Sequence, residues 1–594
     1  MPSPDLVLLH APSVYDFREH SILYGPVSDL VPSTPVFEMY PIGFTTIAEH
    51  LERHGWRVRI INLAVRMLRD ASFSAEDLIK RLKPVAFGID LHWLPHAHGA
   101  LAVAELVKRH HPEIPIIFGG FSATYYYEEL LRLPVVDYVV RGDSTEEPMR
   151  QLMECISEGR EPEGVANVAW RTQAGVVRAN PISYVPADID DVVLDYGFVV
   201  RSVATYRDLL SHVPFHNWLD YPITAALTVR GCTNNCVICG GSAYTFRKVF
   251  GREGGPAYRS PEQLATDLRH IARFINGPIM ILGDLRQAGE DHARRFLRAV
   301  HGYTGSVILE LFGPASRDYL QQVKDALPNF VLEVSLESHD PAVRRAFGKG
   351  YDNAAIEATL AHALEVGCQR LDVFFMIGLP RQTYQSVLET VDYCGALLER
   401  FASGPKPRLY PFISPLAPFV DPGSPVFEEP ERHGYRFFYR TLEEHRQALV
   451  QPSWKYVLNY ETRWMTRDEI VASSYEAGLR LNRLKARYGL VPADQAAATE
   501  ARIRKALALS AEIDRIMALP DEDARRERLA ALKVQVDQAN MSTVCDKREL
   551  ELPVGLLKLN VLRAGWYFLN GEVRRWLRRP GPKATRHRCS AGGT

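Results

Sequence analysis

The segment Thr228–Ser242, TVRGCTNNCVICGGS, limits the fold most. It places Cys232, Cys236 and Cys239 in one short loop directly after an apolar run, PITAALTV. Three thiolates delivered from the end of a strand must curl round a common centre. The soft iron of a cubane cluster prefers sulfur ligands, and three protein ligands leave one iron open. Structural zinc wants a fourth protein ligand, and no further Cys or His follows within about thirty residues. The density of the thiols argues against the third alternative, three inert buried cysteines. A scaffold whose strand ends open onto a ligand is therefore required, with Gly231, Gly240 and Gly241 allowing the loop to wrap it.

Such a scaffold is one unit among several. A chain of 594 residues is too long for one hydrophobic core, and about 150 residues per domain predicts three or four units. Seventy basic against 71 acidic residues leave a net charge of -1, so there is no global field for nucleic acid and no nucleic-acid partner is expected. Eight cysteines are too sparse for a disulfide framework, and the first thirty residues lack a basic region followed by a long apolar stretch. A reducing, cytoplasmic setting is expected. No apolar run reaches the roughly 20 residues that cross a bilayer.

Ahead of the cysteines, short apolar runs alternate with amphipathic segments of helical length: DLVLLHAP, IGFTTIAEHLERHG, WRVRIINLAV, SAEDLIKRLK, PVAFGIDLHW, HGALAVAELVKRHHP, IPIIFGGFSAT and VDYVVRGDSTEEPMRQLMECI. This pattern predicts a doubly wound, Rossmann-like α/β domain that binds its ligand at the carboxyl ends of the strands. It spans residues 1–190 with an extension after about 155, and a linker over 191–220 follows. No GxGxxG follows the first strand, so a dinucleotide is not indicated. Gly119-Gly120, after the fourth strand, suits either a tight turn or the close approach of a bulky ligand. GIDLHWLPHAHG offers His92, His96 and His98 as zinc ligands, against a surface loop with histidines as polar caps.

The cysteine loop resembles the signature of the radical S-adenosylmethionine (SAM) enzymes, because further pieces follow it in order. MILGDLRQAG carries Gly283 and Asp284 at the end of a second strand, and VILELFGPA carries Glu310 on a third. VLEVSLESHDPAVRRAFGKG contributes Ser335 and Glu337, and VFFMIGLPRQTYQSVLETV the turn Gly378-Leu379-Pro380; RLYPFISPLAPFVDPGSP is the sixth strand. The resemblance implies a partial (β/α)6 radical SAM barrel over 221–425, with a 4Fe-4S cluster on the three cysteines and SAM against the residues just named. One departure is Ile238, where the family places an aromatic residue before the third cysteine.

An α/β domain ahead of such a barrel resembles the cobalamin-binding class of the superfamily. That resemblance implies cobalamin near Pro41, Gly43, Asp90, His92, Gly119, Gly120, Phe121, Arg141, Gly142 and Asp143, with Glu146 in the same turn. The histidine motif DxHxxG is absent after the first strand. Cobalamin without a protein histidine ligand is expected, with His92 the residue most able to overturn it. The class implies methylation of an unactivated carbon through a 5'-deoxyadenosyl radical and methylcobalamin, with flavodoxin or ferredoxin as electron donor. A non-methylating radical cyclase or rearrangement enzyme, or a cobalamin or redox sensor, are the alternatives.

Residues 426–594 read as a helical domain. Trp454, Tyr456, Tyr460 and Trp464 suit its core or a pocket. At the end, Leu556, Leu559, Leu562, Trp566, Leu569, Val573 and Trp576 recur at helical spacing beside Arg563, Arg574, Arg575, Arg578 and Arg579. This resembles an interfacial helix on anionic lipid, implying peripheral membrane contact and a small-molecule or lipid-like substrate. Gly565 and Gly571, and the alternative of a docked helix with a charged face, weigh against it.

Overall fold

The computed structural model describes residues 3–26, 31–402, 406–415, 419–539, 545–566 and 569. The first sheet contains β1 (Leu6–His10), β2 (Val58–Asn62), β3 (Ala86–Asp90), β4 (Ile116–Gly119), β5 (Tyr138–Val140), β6 (Val168–Arg171) and β7 (Val177–Ala179). Its order is β2-β1-β3-β4-β5-β6-β7, with the first five strands parallel and β6 and β7 antiparallel. Every residue of β1 and β3 is buried, as expected where helices cover both faces of a sheet. Helices Ile42–Arg53 and Glu146–Glu158 cover one face and Ala97–His110 the other. The chain reverses direction across the sheet between β1 and β3, so their carboxyl ends, His10 and Asp90, flank the crevice where doubly wound sheets bind ligands.

Residues 191–220, expected as a linker, are partly structured. They hold the helix Tyr196–Tyr206, whose Phe198 is fully buried against Leu6 and Leu8. Asp208, just after it, pairs with Arg59 at 3.1 Å and with Arg66. An aromatic face on the helix, hidden in the sequence by its short length, draws the segment onto the first domain.

The second sheet joins β8 (Thr224–Ala226), β11 (Ile279–Ile281), β12 (Val307–Leu311), β13 (Phe330–Glu337), β14 (Leu371–Ile377) and β15 (Leu409–Pro415), all parallel and neighbouring in chain order. Helices between strands cover the outer face, giving the open six-stranded barrel. β9 (Val229–Arg230) and β10 (Ala257–Tyr258) form a short antiparallel clip beside the cysteine loop.

Beyond residue 426 the chain is not purely helical. β16 (Tyr435–Phe437) and β17 (Tyr460–Thr462) pair antiparallel and bring aromatic side chains under the barrel's fifth turn. Trp454 and Tyr460 are core residues, Trp454 donating to Tyr475 Oη at 3.0 Å. Helix Arg467–Arg487 starts with a capping box, Thr466 and Glu469, and packs on β15. Residues 546–560 then cross the amino-terminal end of the barrel: Arg370 donates to Glu549 O, Asn276 N–H to Lys558 O at 2.9 Å, and Leu552 joins Tyr221 and Met280 in a core. Past this strap Val561, Leu562, Trp566 and Leu569 are exposed, while Gly571, Val573, Trp576 and Arg574, Arg575, Arg578 and Arg579 lie outside the described residues. Among the described residues no helix is long and apolar enough to cross a membrane.

Candidate functional site

The cysteine loop is tied down on three sides. Val237 N–H donates to Phe347 O and Val426 N–H to Val237 O, each at 2.9 Å, and Gly240 N–H donates to Asp421 Oδ2 at 2.9 Å. Cys232 Sγ accepts from Asn234 N–H at 3.4 Å and Gln287 Nε2 at 3.3 Å, and Cys239 Sγ from Gly241 N–H at 3.3 Å. These donors favour thiolates, whereas burial pushes the bare Cys236 thiol up to about 12 and raises Cys239 as well. A positive metal centre resolves that conflict. Among the described residues the only three ligand atoms gathered within 4.8 Å of one another belong to His10, Asp90 and His92. The cysteines do not form such a set, which suits a cluster of several irons better than one zinc ion. Ile238 is buried in the barrel core.

Inside the barrel, adjacent strands align Glu310 with Glu333 and Glu333 with Asp372. All three carboxyl groups are raised by burial first; Asp372 and Glu310 add repulsion at Glu333, and Glu310 reaches about 7. Glu333 Oε2 has no hydrogen-bond partner. Two residues on, Ser335 O accepts from Lys349 Nζ at 2.7 Å; a bulge follows, and Glu337 pairs with Lys349 at 2.6 Å while its Oε2 stays unpartnered. Glu333 and Glu337 thus each keep one oxygen without a partner, while Asp372 is paired with Arg370 at 2.7 Å. Gly283 N–H donates to Glu310. Asp284, expected to meet SAM, accepts from Arg286 at 2.5 Å and from Phe312 N–H at 3.0 Å and shapes the turn.

The Gly378-Leu379-Pro380 turn is held by Gln382, whose Oε1 accepts from Gly378 N–H at 2.8 Å, and by Tyr435 Oη, which donates to Gly378 O at 2.6 Å. Gly378 has φ +97°, and a Cβ there would lie 2.2 Å from Tyr460 Oη. Only glycine fits.

In the first domain Pro41 caps the helix Ile42–Arg53, and open space faces Gly43. Gly120 differs from the expectation of ligand approach. At φ +114° its missing Cβ makes room for the chain itself, since a Cβ would meet His92 Cα at 2.3 Å. Gly119 has only Val140 O nearby, at 3.6 Å. Phe121 packs on Phe246 and Phe250 of the second domain, at ring distances of 5.7 and 4.5 Å. Asp143 is enclosed by Arg252 at 2.6 Å, Arg141 donates to Asn180 O and stacks on Tyr127, and Gly142 N–H donates to Thr124. Arg141 and Asp143 are buried in these contacts, whereas Phe121 keeps 39% of its surface exposed. The imagined zinc set also separates: His98 accepts from Tyr15 N–H at 3.3 Å and His96 bonds Ala11 O at 3.2 Å.

Asp90 and His92 remain at the crevice, joined by His10, which the sequence reading missed. A histidine ending a wholly buried apolar strand was the available signal. Burial alone would raise Asp90, but His10 and His92 hold it below the usual carboxylate range. The two domains meet at this point. Trp93 Nε1 donates to Asp421 Oδ1 at 3.0 Å, and the same carboxylate binds Gly240 beside Cys239. Glu146 pairs with Arg230, two residues before Cys232, at 2.5 Å; burial would raise Glu146, but Arg230 brings it down to about 2.

Comparison with known proteins agrees with this layout. Residues 30–151 match the family model of the B12 binding domain, and 227–394 that of the radical SAM superfamily. The chain is 28% identical over 364 residues to an uncharacterized methyltransferase of Pyrococcus horikoshii, covering 60% of this chain and 73% of that protein. It is 27% identical over 302 residues to the hopanoid C-3 methylase of Methylococcus capsulatus, spanning half of each. The structure of the radical SAM methyltransferase TsrM from Kitasatospora setae, with cobalamin and a [4Fe-4S] cluster bound, superposes with a TM-score of 0.52 at 17% identity, over 73% of this chain and 81% of that one; at that identity it speaks for the fold alone. The chain thus carries a B12-binding domain ahead of a radical SAM domain.

Proposed function

We propose that this enzyme methylates an unactivated carbon of a small-molecule or lipid-like substrate. The observation that carries the reading is the Asp421 bridge: one carboxylate ties the loop after β3, at the crevice of the first domain, to the loop of the three cysteines. A methyl carrier in the crevice and a radical source in the barrel then face a common space, which transfer to a substrate radical requires. When bound, the cluster and SAM supply hydrogen abstraction and cobalamin supplies a transferable methyl group. The named methyltransferases among the relatives support the same reading.

The chain's own residues position and shield. Cys232, Cys236 and Cys239 hold the cluster. Glu310, Glu333 and Glu337, with Gly283, Ser335 and Gly378 to Pro380, are the barrel residues that would hold SAM, the carboxyl groups offering acceptors to its positive charges. Pro41, Gly43, Asp90, His92 and Gly119 border the cobalamin crevice. The first domain packs beside the cysteine loop through Phe121, Trp93 and Glu146, and these contacts would help to keep water from the site. An external electron donor such as flavodoxin or ferredoxin supplies electrons. The exposed Leu562, Trp566 and Leu569 support peripheral contact with lipid.

One anaerobic incubation with labelled SAM, reductant and cell extract tests the reading. Both S-adenosylhomocysteine and 5'-deoxyadenosine are expected. 5'-Deoxyadenosine alone would point to cyclisation or rearrangement instead, and neither product would point to a sensor.

A further inference from the structure

At the crevice between β1 and β3, Asp90 is 3% exposed and accepts from two histidines: His10 Nδ1 at 3.0 and 3.1 Å and His92 Nδ1 at 2.6 Å. The second nitrogen of His10 faces Phe37 O at 3.2 Å, so both of its ring nitrogens are engaged. His92 is different. Its Nδ1 faces a carboxylate and must carry the proton, which leaves the lone pair on Nε2. That Nε2 makes no hydrogen bond among the described residues, and the side chain is 27% exposed.

The ring is also fixed in place. Asp90 holds one edge, the His96 ring lies 4.7 Å away, and the Gly120 turn packs against the His92 backbone. Trp93, the next residue, is anchored on Asp421. A carboxylate behind an imidazole orients it and strengthens its opposite nitrogen as a donor to a metal.

The donor count selects the metal. His10 and Asp90 are already occupied with each other and with His92, so of this trio His92 Nε2 is the nitrogen left without a partner among the described residues. A bare zinc ion needs three or four protein ligands and would have to break this network. A cobalt whose equatorial positions are filled by a corrin ring needs one axial donor. We propose that His92 Nε2 is the axial ligand to the cobalt of cobalamin, with Asp90 and His10 as its positioning residues. This rests on the cobalamin reading above, and it reverses the expectation from the missing DxHxxG motif: the donor comes from the end of β3 rather than β1.

The test is electron paramagnetic resonance of the full chain, uniformly labelled with nitrogen-15 and loaded with natural-abundance cobalamin, in the Co(II) state. The expected spectrum shows each resolved cobalt line split into a doublet by a protein nitrogen. His92→Ala should lose the doublet, and added unlabelled imidazole should restore splitting as a triplet. Asp90→Asn should reduce the fraction of cobalamin giving the doublet. A triplet in the labelled wild-type protein, from the cofactor's own base, or no splitting with cobalamin retained, would overturn the ligand assignment alone. A doublet that survives in His92→Ala would overturn it too. Failure of the wild-type chain to retain cobalamin would overturn both this inference and the methyl-transfer reading.

Discussion

Glu310 shows how far one residue's surroundings can move its chemistry. Its carboxyl is buried on β12 and raised to about 7, chiefly by burial, with Asp284 adding repulsion. A carboxyl raised on folding contributes stability that is fully present below its unfolded value near 4.5 and is lost as pH rises through the folded value. A shift of this size corresponds to a few kcal/mol at most, on the order of 1.4 kcal/mol per unit. In SAM-free protein, Glu310→Gln should therefore flatten the fall in thermal midpoint between pH 5 and pH 8. An unchanged fall would place the titration elsewhere. At the cysteines, replacing any one of Cys232, Cys236 or Cys239 by Ala should bring reconstituted iron and SAM cleavage to background, whereas the buried Cys368 should tolerate Ser with iron intact. The three cysteines were legible because a ligand loop is local in sequence. His10 and Asp421 were not, since their partners lie 80 and 181 residues away and only the fold brings them together.

Between elements, a buried ion pair couples the start of helix Glu146–Glu158 to Arg230 in the clip that precedes the cysteines. Removing one member of the buried Glu146–Arg230 pair strands the other charge, at a cost of about 3 to 5 kcal/mol. Glu146→Gln should thus lower the thermal midpoint and speed proteolysis around Arg230, and adding Arg230→Met should recover most of the loss. Two equal single-variant effects that simply add would contradict the coupling. At the fifth turn, Gly378→Ala forces a Cβ onto Tyr460 in a left-handed conformation; SAM affinity should fall about tenfold, or about 1.4 kcal/mol, with iron content unchanged. Tyr460→Phe in that background should recover part of it. Strands and covering helices were legible here because their periodicity is strong. The helix Tyr196–Tyr206 and the β16–β17 pair escaped because they are short and owe their form to the surfaces they cover.

At the scale of the whole molecule, the C-terminal segment has two jobs that the sequence pattern merged. Residues up to Asn560 brace the amino-terminal end of the barrel, Asn560 N–H itself donating to Phe274 O at 2.9 Å, while the apolar residues after it are exposed. A chain ending at Asn560 should keep its cluster yet lose most of its sedimentation with anionic vesicles; equal binding by both chains would remove the membrane contact. Methyl transfer as proposed needs the cobalamin crevice and the cysteine loop to open onto one space. Cob(II)alamin and the reduced cluster are both paramagnetic, so low-temperature electron paramagnetic resonance of protein loaded with both reads their proximity directly. Mutual dipolar broadening that disappears when either centre is left out is expected. A spectrum equal to the sum of the two centres measured separately would contradict it.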